Sequence, residues 1–587
     1  MSGNGGPSMR KILFAALAAL FISSEANAAC EVGQLLEFKI TMRGATPLAD
    51  IGVNGRTLPF IIDSGAFFST ISPGTAQELG LQLQHSPVRV AGLGGEAGST
   101  YLTRVQTLDL AGNPLHNIQF VVAGSEFGAA GLIGQNILGI GDVEYDLGHG
   151  AIRLMRAAGC SRNDDFAYWA GQQPESSLPI EPRDEMHPHT IGTIYVNGVR
   201  IRAMFDTGAA TSLLSLQAAS RLGLKPSTPG VIPIGRASGL GRSTVQAWLA
   251  PIQNVAIGTE QIQNIKLMMA DLQMPDAEML IGADFFLSHR VYVSNKLERM
   301  YFTYNGGPVF NVKPAKIIDQ SGAAETIAAD NGPDPTDAAG FSRRGAAETS
   351  RRDYKAAVAD LDRAVSMDPG NGHYLLERAR AQFLSGNGKA AFADLDQAVK
   401  VSPKDPEIRL ARAFMLIQQK RKDDALEDLK AADAILSPQA DERFALAGGF
   451  EQVDQFDKAI ANYDLWIKGH PDDSKQPEAM NGRCWTRALA GRDLPLALKD
   501  CDAALRQFKS GNYLDSRGMV ELRMGQYDRA IDDYDEALKL APKKPWSLYG
   551  RGLAKHHKND ASAQSDLDAA IAIDPELPAR AKELGIN

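Results

Sequence analysis

The sequence predicts a multidomain protein in which two copies of an all-β unit precede an all-α solenoid. Three observations carry this expectation. A short word holding one aspartate occurs twice, 143 positions apart, as Phe60-Ile61-Ile62-Asp63-Ser64-Gly65-Ala66 and Ala203-Met204-Phe205-Asp206-Thr207-Gly208-Ala209. Matching words surround both copies in the same order. From about residue 341, strand-like patterns give way to helical periodicity with a 34-residue repeat.

Along the chain, the first element is a leader. Met9-Arg10-Lys11 precedes the apolar run Ile12–Ile22, and Ala26-Asn27-Ala28 follows. A basic start, a short apolar run and a small-x-small site predict a signal peptide over residues 1–28, cut after Ala28. The run is too short for a stable membrane-spanning helix. Cys30 raises a lipoprotein reading, against which Asn27 stands where an aliphatic residue is wanted. No other segment has the length and apolarity of a membrane span, so no integral membrane segment is expected once the leader is removed.

The β units come next, over residues 36–155 and 187–304. Val53-Asn54-Gly55-Arg56 and Val196-Asn197-Gly198-Val199 are hairpin signals, because Asn-Gly supplies positive φ at both central turn positions. Each aspartate then ends an apolar strand, and a hydroxyl and a glycine supply turn chemistry. A Gly-rich loop follows in each copy, Ala91-Gly92-Leu93-Gly94-Gly95 and Ser238-Gly239-Leu240-Gly241-Arg242. Leu132-Ile133-Gly134-Gln135-Asn136 and Leu280-Ile281-Gly282-Ala283-Asp284 close the units. The offsets are 143, 147 and 148, as a duplicated domain requires. Gly92–Gly98 is not a dinucleotide fingerprint, since Ser99–Thr103 reads as strand where a helix is needed.

In combination these words resemble the retropepsin-like aspartic proteases. The resemblance implies that Asp63 and Asp206 form a dyad, one carboxylate acting as base on water and one carboxylic acid protonating the carbonyl oxygen. Two carboxyl groups in contact cannot both ionise, so they share a proton. It also implies reciprocal hydrogen bonds from Ser64 and Thr207 beneath the dyad, with tight turns at Gly65 and Gly208. Gly134 and Gly282 would lie under the aspartate loops, where a side chain would collide. Gly92, Gly94, Gly95, Gly239 and Gly241 would belong to flaps closing over a polypeptide substrate bound as an added strand. The words after Gly134 and Gly282 depart from retroviral members, which tend to have Arg there, and sit closer to bacterial and cellular relatives. No cofactor and no metal is implied.

Residues 156–186 are expected to link the units, with Phe166, Tyr168 and Trp169 available to pack that strap onto a domain. Residues 311–345 read as a flexible linker, polar and turn-rich around Asp330–Asp337. Residues 346–587 form the repeat array. Ala357, Ala391, Ala425, Ala459, Ala497, Ala530 and Ala563 recur at spacings of 34, 34, 34, 38, 33 and 33, and prolines such as Pro369, Pro403 and Pro438 close the units. This resembles the tetratricopeptide repeat in about seven copies. Such arrays bind peptides or proteins on a concave face, so a protein partner is implied there.

Net charge is −9, or −10 once Arg10, Lys11 and Glu25 leave with the leader, and no basic cluster suggests nucleic acid. The bacterial character of the resemblance implies a periplasmic, oxidising location. Four cysteines suit it: Cys30 and Cys160 flank the first β unit, and Cys484 and Cys501 fall on packed helices of one repeat. Pairing in those two couples competes with four buried free thiols. Zinc-ligand spacing is absent, and His187-Pro188-His189 and His556-His557 read as surface residues. The sequence thus predicts a secreted aspartic endopeptidase. It leaves open an inactive peptide-binding scaffold, an inter-chain homodimeric protease and an enzyme that cuts only its own linker or one partner.

Overall fold

The computed structural model describes residues 30–586 except 87–90, 93–94, 97–99, 124–127, 184–186, 238–244, 311–316, 319–333 and single positions at 162, 163, 165, 172, 273, 275, 472, 474 and 508. The expected leader therefore lies outside the described residues. Internal contacts divide the chain into two compact units. One holds both β halves and most of the first two helix pairs, to Gln397; the other takes up the helices from Ala398.

Each β half is built around the two features read from sequence. Strands Thr46–Val53 and Arg56–Ile62 form a hairpin at Asn54-Gly55, whose φ angles are +50° and +84°. Strands Ile191–Val196 and Val199–Phe205 repeat it at Asn197-Gly198, at +46° and +78°. Each aspartate strand then runs parallel to a short strand from the closing word. Ile62 pairs with Ile133 and Phe205 with Ile281, so the Asp63 N–H donates to the Ile133 carbonyl and the Asp206 N–H to that of Ile281. Ser72 and Ser215 cap matching short helices, Pro73–Glu78 and Leu216–Arg221.

The halves are fused by a shared sheet. Asp142–Asp146 pairs antiparallel with His289–Ser294, Val143 opposite Val293. Outside this pair lie Ala151–Ala158 and Glu31–Arg43 on one side, and Arg299–Tyr304 and Ser176–Pro179 on the other. One apolar core runs through both halves, with Phe60, Ile62 and Tyr145 from the first and Phe205, Phe286 and Val291 from the second.

The strap between halves is more ordered than a polar linker. Ser176–Pro179 adds a strand to the shared sheet, Phe166 stacks on Tyr301 at 5.0 Å, and Trp169 Nε1 donates to Thr303 Oγ1 at 2.9 Å. Cys30 and Cys160 are joined in a disulfide that ties the strap's start to the first strand.

The stretch expected as linker to residue 345 ends earlier. Asp337 caps a helix over Ala338–Ser350 by accepting from the Gly340 N–H at 2.7 Å. That helix packs on the β core through Ala346 and Ala347, and Ser350 Oγ donates to the Gly44 carbonyl. An N-cap and a small-residue face outweigh the linker-like composition just before them.

Among the described residues, helices follow in seven pairs, from Ala338–Ser350 with Tyr354–Met367 to Pro545–His557 with Ala563–Ile573, before a last helix Leu577–Glu583. The seven periodic alanines all lie on second helices and are all buried. Only a methyl group fits where paired helices approach. Six pairs share a further device. Arg344, Arg378, Arg412, Arg483, Arg517 and Arg551 on first helices each grip an aspartate of the paired helix: Asp360, Asp394, Asp428, Asp500, Asp533 and Asp566. In the fourth pair Arg443 meets Asn462 instead. Buried aspartates persist here because a bidentate guanidinium satisfies both oxygens. Cys484 and Cys501 form a disulfide across the fifth pair. Among the described residues no helix is long and apolar enough to cross a membrane.

Candidate active site

The parallel strand pairs aim the two aspartates at each other across the interface of the halves. Thr207 Oγ1 accepts from the Ser64 N–H at 3.0 Å and donates to the Ile62 carbonyl at 2.7 Å. Ser64 Oγ accepts from the Thr207 N–H at 2.9 Å and donates to the Phe205 carbonyl at 2.8 Å. Four buried hydrogen bonds thus lock one loop to the other with two-fold symmetry. A hydroxyl is required at both places, because each oxygen must accept and donate at once.

Glycines let the loops approach. A Cβ on Gly65 would lie 2.2 Å from the Asp206 carboxyl carbon, and one on Gly208 would lie 2.3 Å from that of Asp63. Each aspartate therefore rests on the opposite loop's glycine. Its own loop holds it as well, Gly65 N–H on Asp63 Oδ1 and Gly208 N–H on Asp206 Oδ1, both at 2.9 Å. Beneath, a Cβ on Gly134 would meet the Ala66 carbonyl oxygen at 2.8 Å, and one on Gly282 the Ala209 carbonyl oxygen at 2.6 Å.

Both carboxyls retain some exposed surface and are otherwise enclosed by protein. Burial raises Asp63 well above the carboxylate range, and the charge and hydrogen bond of Asp206 raise it further against the Gly65 and Ala66 N–H groups. Burial also raises Asp206, opposed by the Asp63 hydrogen bond, the Gly208 and Ala209 N–H groups and His189. Burial and mutual repulsion of the two carboxyls favour a state in which they share one proton.

Comparison with known families agrees with this geometry. An aspartyl protease family matches residues 49–139, and the gag-polyprotein aspartyl protease family matches residues 192–288. Tetratricopeptide repeat families match residues 359–476 and 518–559. Two retropepsin-like aspartyl protease domains precede a tetratricopeptide repeat array.

Two curated proteins are similar to part of the chain. Tetratricopeptide repeat protein 6 of Homo sapiens is 26% identical over 23% of this chain and 25% of its own length. Hsp70-Hsp90 organizing protein 3 of Arabidopsis thaliana is 29% identical over 21% of this chain and 22% of its own. The chain thus spans about a quarter of the curated relatives it matches. A tetratricopeptide repeat protein from Parabacteroides merdae is 18% identical, covering 38% of this chain and 85% of that structure, with a TM-score of 0.28.

Around the two aspartates lie several residues that the sequence does not single out. Gln135 Nε2 donates to the Ser64 carbonyl at 2.7 Å, and Gln135 Oε1 accepts from Arg183 on the strap. Buried Tyr145 from the shared sheet faces the Ser64 hydroxyl, and burial pushes its own hydroxyl above the usual range. His189, expected at the surface, is half-buried beside Asp206, while His187 is exposed. Gln135 and Tyr145 lie far from both aspartates in sequence, His189 stands 17 positions before Asp206, and neither Tyr145 nor His189 carries a local motif. The Gln135 signal alone was accessible, as the polar side chain after Gly134.

Of the expected flap, Ala91-Gly92 pairs with Gly95-Glu96 as a two-stranded hairpin. Gly94 lies outside the described residues, as do Gly239 and Gly241. The second loop's base is described: Ile232–Ala237 pairs antiparallel with the start of Val245–Ile257. Ile232 and Ile234 on that strand are exposed.

Proposed function

We propose that the chain is an aspartic endopeptidase with one dyad, Asp63 and Asp206, both supplied by the same polypeptide. The observation that carries the reading is the reciprocal Ser64–Thr207 lock, which brings two enclosed carboxyls together on glycine beds. Such a pair is suited to a lytic water. The ionised carboxyl takes a proton from water, whose oxygen bonds to the peptide carbonyl carbon, while the protonated carboxyl gives its proton to the carbonyl oxygen. Collapse of the tetrahedral diol, with proton transfer to nitrogen, breaks the C–N bond and restores the shared proton. No covalent enzyme intermediate is required.

The repeats supply a protein-recruiting surface in this reading, and the β hairpins take an extended polypeptide. Export to the periplasm fits the basic-apolar leader and the two disulfides. The test is cleavage of an unfolded protein from about pH 3 to 8, with Asp63→Asn and Asp206→Asn compared with the native chain. An acidic optimum with a loss on the order of a thousandfold in either variant is expected. Absence of cleavage by the folded native chain would refute the reading and favour a peptide-binding scaffold.

A further inference from the structure

His189 is a titratable side chain at the dyad that the hydrolytic scheme leaves unused. It enters the site from the residue pair before strand Ile191–Val196 of the second protease domain, yet it touches the first. The Phe67 ring meets its imidazole edge-on at 6.2 Å between centroids, and the Gly65 backbone faces it and favours its protonated form. Phe67 and Gly65 belong to the loop that carries Asp63. On its own side, the adjoining Thr190 carbonyl accepts from the Phe205 N–H at 3.0 Å, which sets His189 next to Asp206, where each charge acts on the other. Among the described residues, its Nδ1 is buried and has no hydrogen-bond partner.

We propose that His189 is a positioning residue of the dyad, bridging the two aspartate loops and setting the charge of Asp206 as pH falls. The inference rests on the proteolytic reading of the dyad. Among the described residues, the charged groups facing the imidazole are Asp206, Asp276 from the loop before strand Met279–Ile281, and Arg183 from the strap. The first two favour the imidazolium and Arg183 opposes it, while burial holds the ring below its ordinary range. The imidazole is therefore neutral near pH 7 and charges in acid, where the enzyme is expected to work. A positive ring beside Asp206 favours its carboxylate. The singly protonated dyad then survives to lower pH than two aspartates alone would allow. The equivalent place in the first domain, 143 positions earlier, holds Thr46, so the effect is confined to one carboxyl.

Two measurements on the full chain test this. The first follows the histidine ring signals by NMR across pH, assigning His189 through its loss in His189→Gln. Asp206→Asn is expected to lower the His189 midpoint by about half a pH unit or more. An unchanged midpoint overturns the proposal whether or not the chain cleaves peptides. The second is the pH profile of kcat/KM. His189→Gln is expected to move the acid limb upward by about half a unit or more, with the alkaline limb in place, a loss of about threefold or more at the acid edge. An equal loss at every pH would make His189 merely structural and overturn the proposal. Inactivity of the native chain would refute the proteolytic reading alone, since the NMR arm decides the coupling independently.

Discussion

The two protease domains repeat one another almost atom for atom at the dyad and diverge one layer below it. Ser64 and Thr207 exchange equivalent hydrogen bonds, and Gly65 and Gly208 bed opposite aspartates. Under the first loop, however, Asn136 Oδ1 accepts from the Ser69 N–H and hydroxyl, both at 2.7 Å. Under the second, the carboxyl of Asp284 accepts the same two bonds from Ser212 at 2.9 and 2.7 Å. Gln135 braces the Ser64 carbonyl in the first domain, where the second has Ala283. The reciprocal hydrogen bonds and glycine beds hold both copies alike, because each loop completes the other. The supports need only reach the right oxygen and are free to differ in charge.

The largest expected effect tests the part held identical. Gly134→Ala and Gly282→Ala each place a methyl against backbone carbonyl oxygen, at 2.8 and 2.6 Å. Neither neighbour is a side chain that can swing away, so each variant is expected to lose about 3 kcal/mol or more of stability. Denaturant unfolding of the two variants measures it; a neutral result at one site would break the equivalence of the two domains.

A smaller effect tests the part that diverged. Burial raises the Asp284 carboxyl to about 6, partly offset by the Ser212 bonds. A carboxyl raised in the folded state stabilises folding below its unfolded value, near 4, and that contribution is lost as pH rises through about 6. At neutral pH the native carboxylate therefore costs on the order of 3 kcal/mol. Asp284→Asn copies the first domain's Asn136, and is expected to flatten the fall in stability between about pH 4 and 7. Unfolding curves at both pH values check this, and an unchanged slope would show that Asp284 does not titrate there.

Much of this comparison was legible in the sequence. The paired words place the dyad, the hydroxyl lock and the two supporting glycines, because each is local to a strand end. The alanine period likewise gives seven helix pairs, since one small residue must recur wherever helices approach. Contacts across long separations were not legible. The Asp142–Asp146 and His289–Ser294 pairing joins segments about 150 residues apart, and Arg183 reaches Gln135 from a strap that reads as polar linker. His189 is a histidine between a proline and a threonine, and nothing local distinguishes it from a surface residue. The Arg–Asp grip in the repeats was present as a 16-residue spacing, Arg344 to Asp360 and Arg378 to Asp394, but was hidden among many surface charges.

The central claim is that one chain supplies both carboxyls of one site. Its most direct test mixes purified Asp63→Asn and Asp206→Asn chains, after joint unfolding and refolding, and assays proteolysis beside the native chain treated alike. The account predicts that the native chain recovers its activity and the mixture none, because every chain carries one asparagine in its own dyad. Activity restored in the mixture would mean that aspartates from different chains meet, and would contradict it.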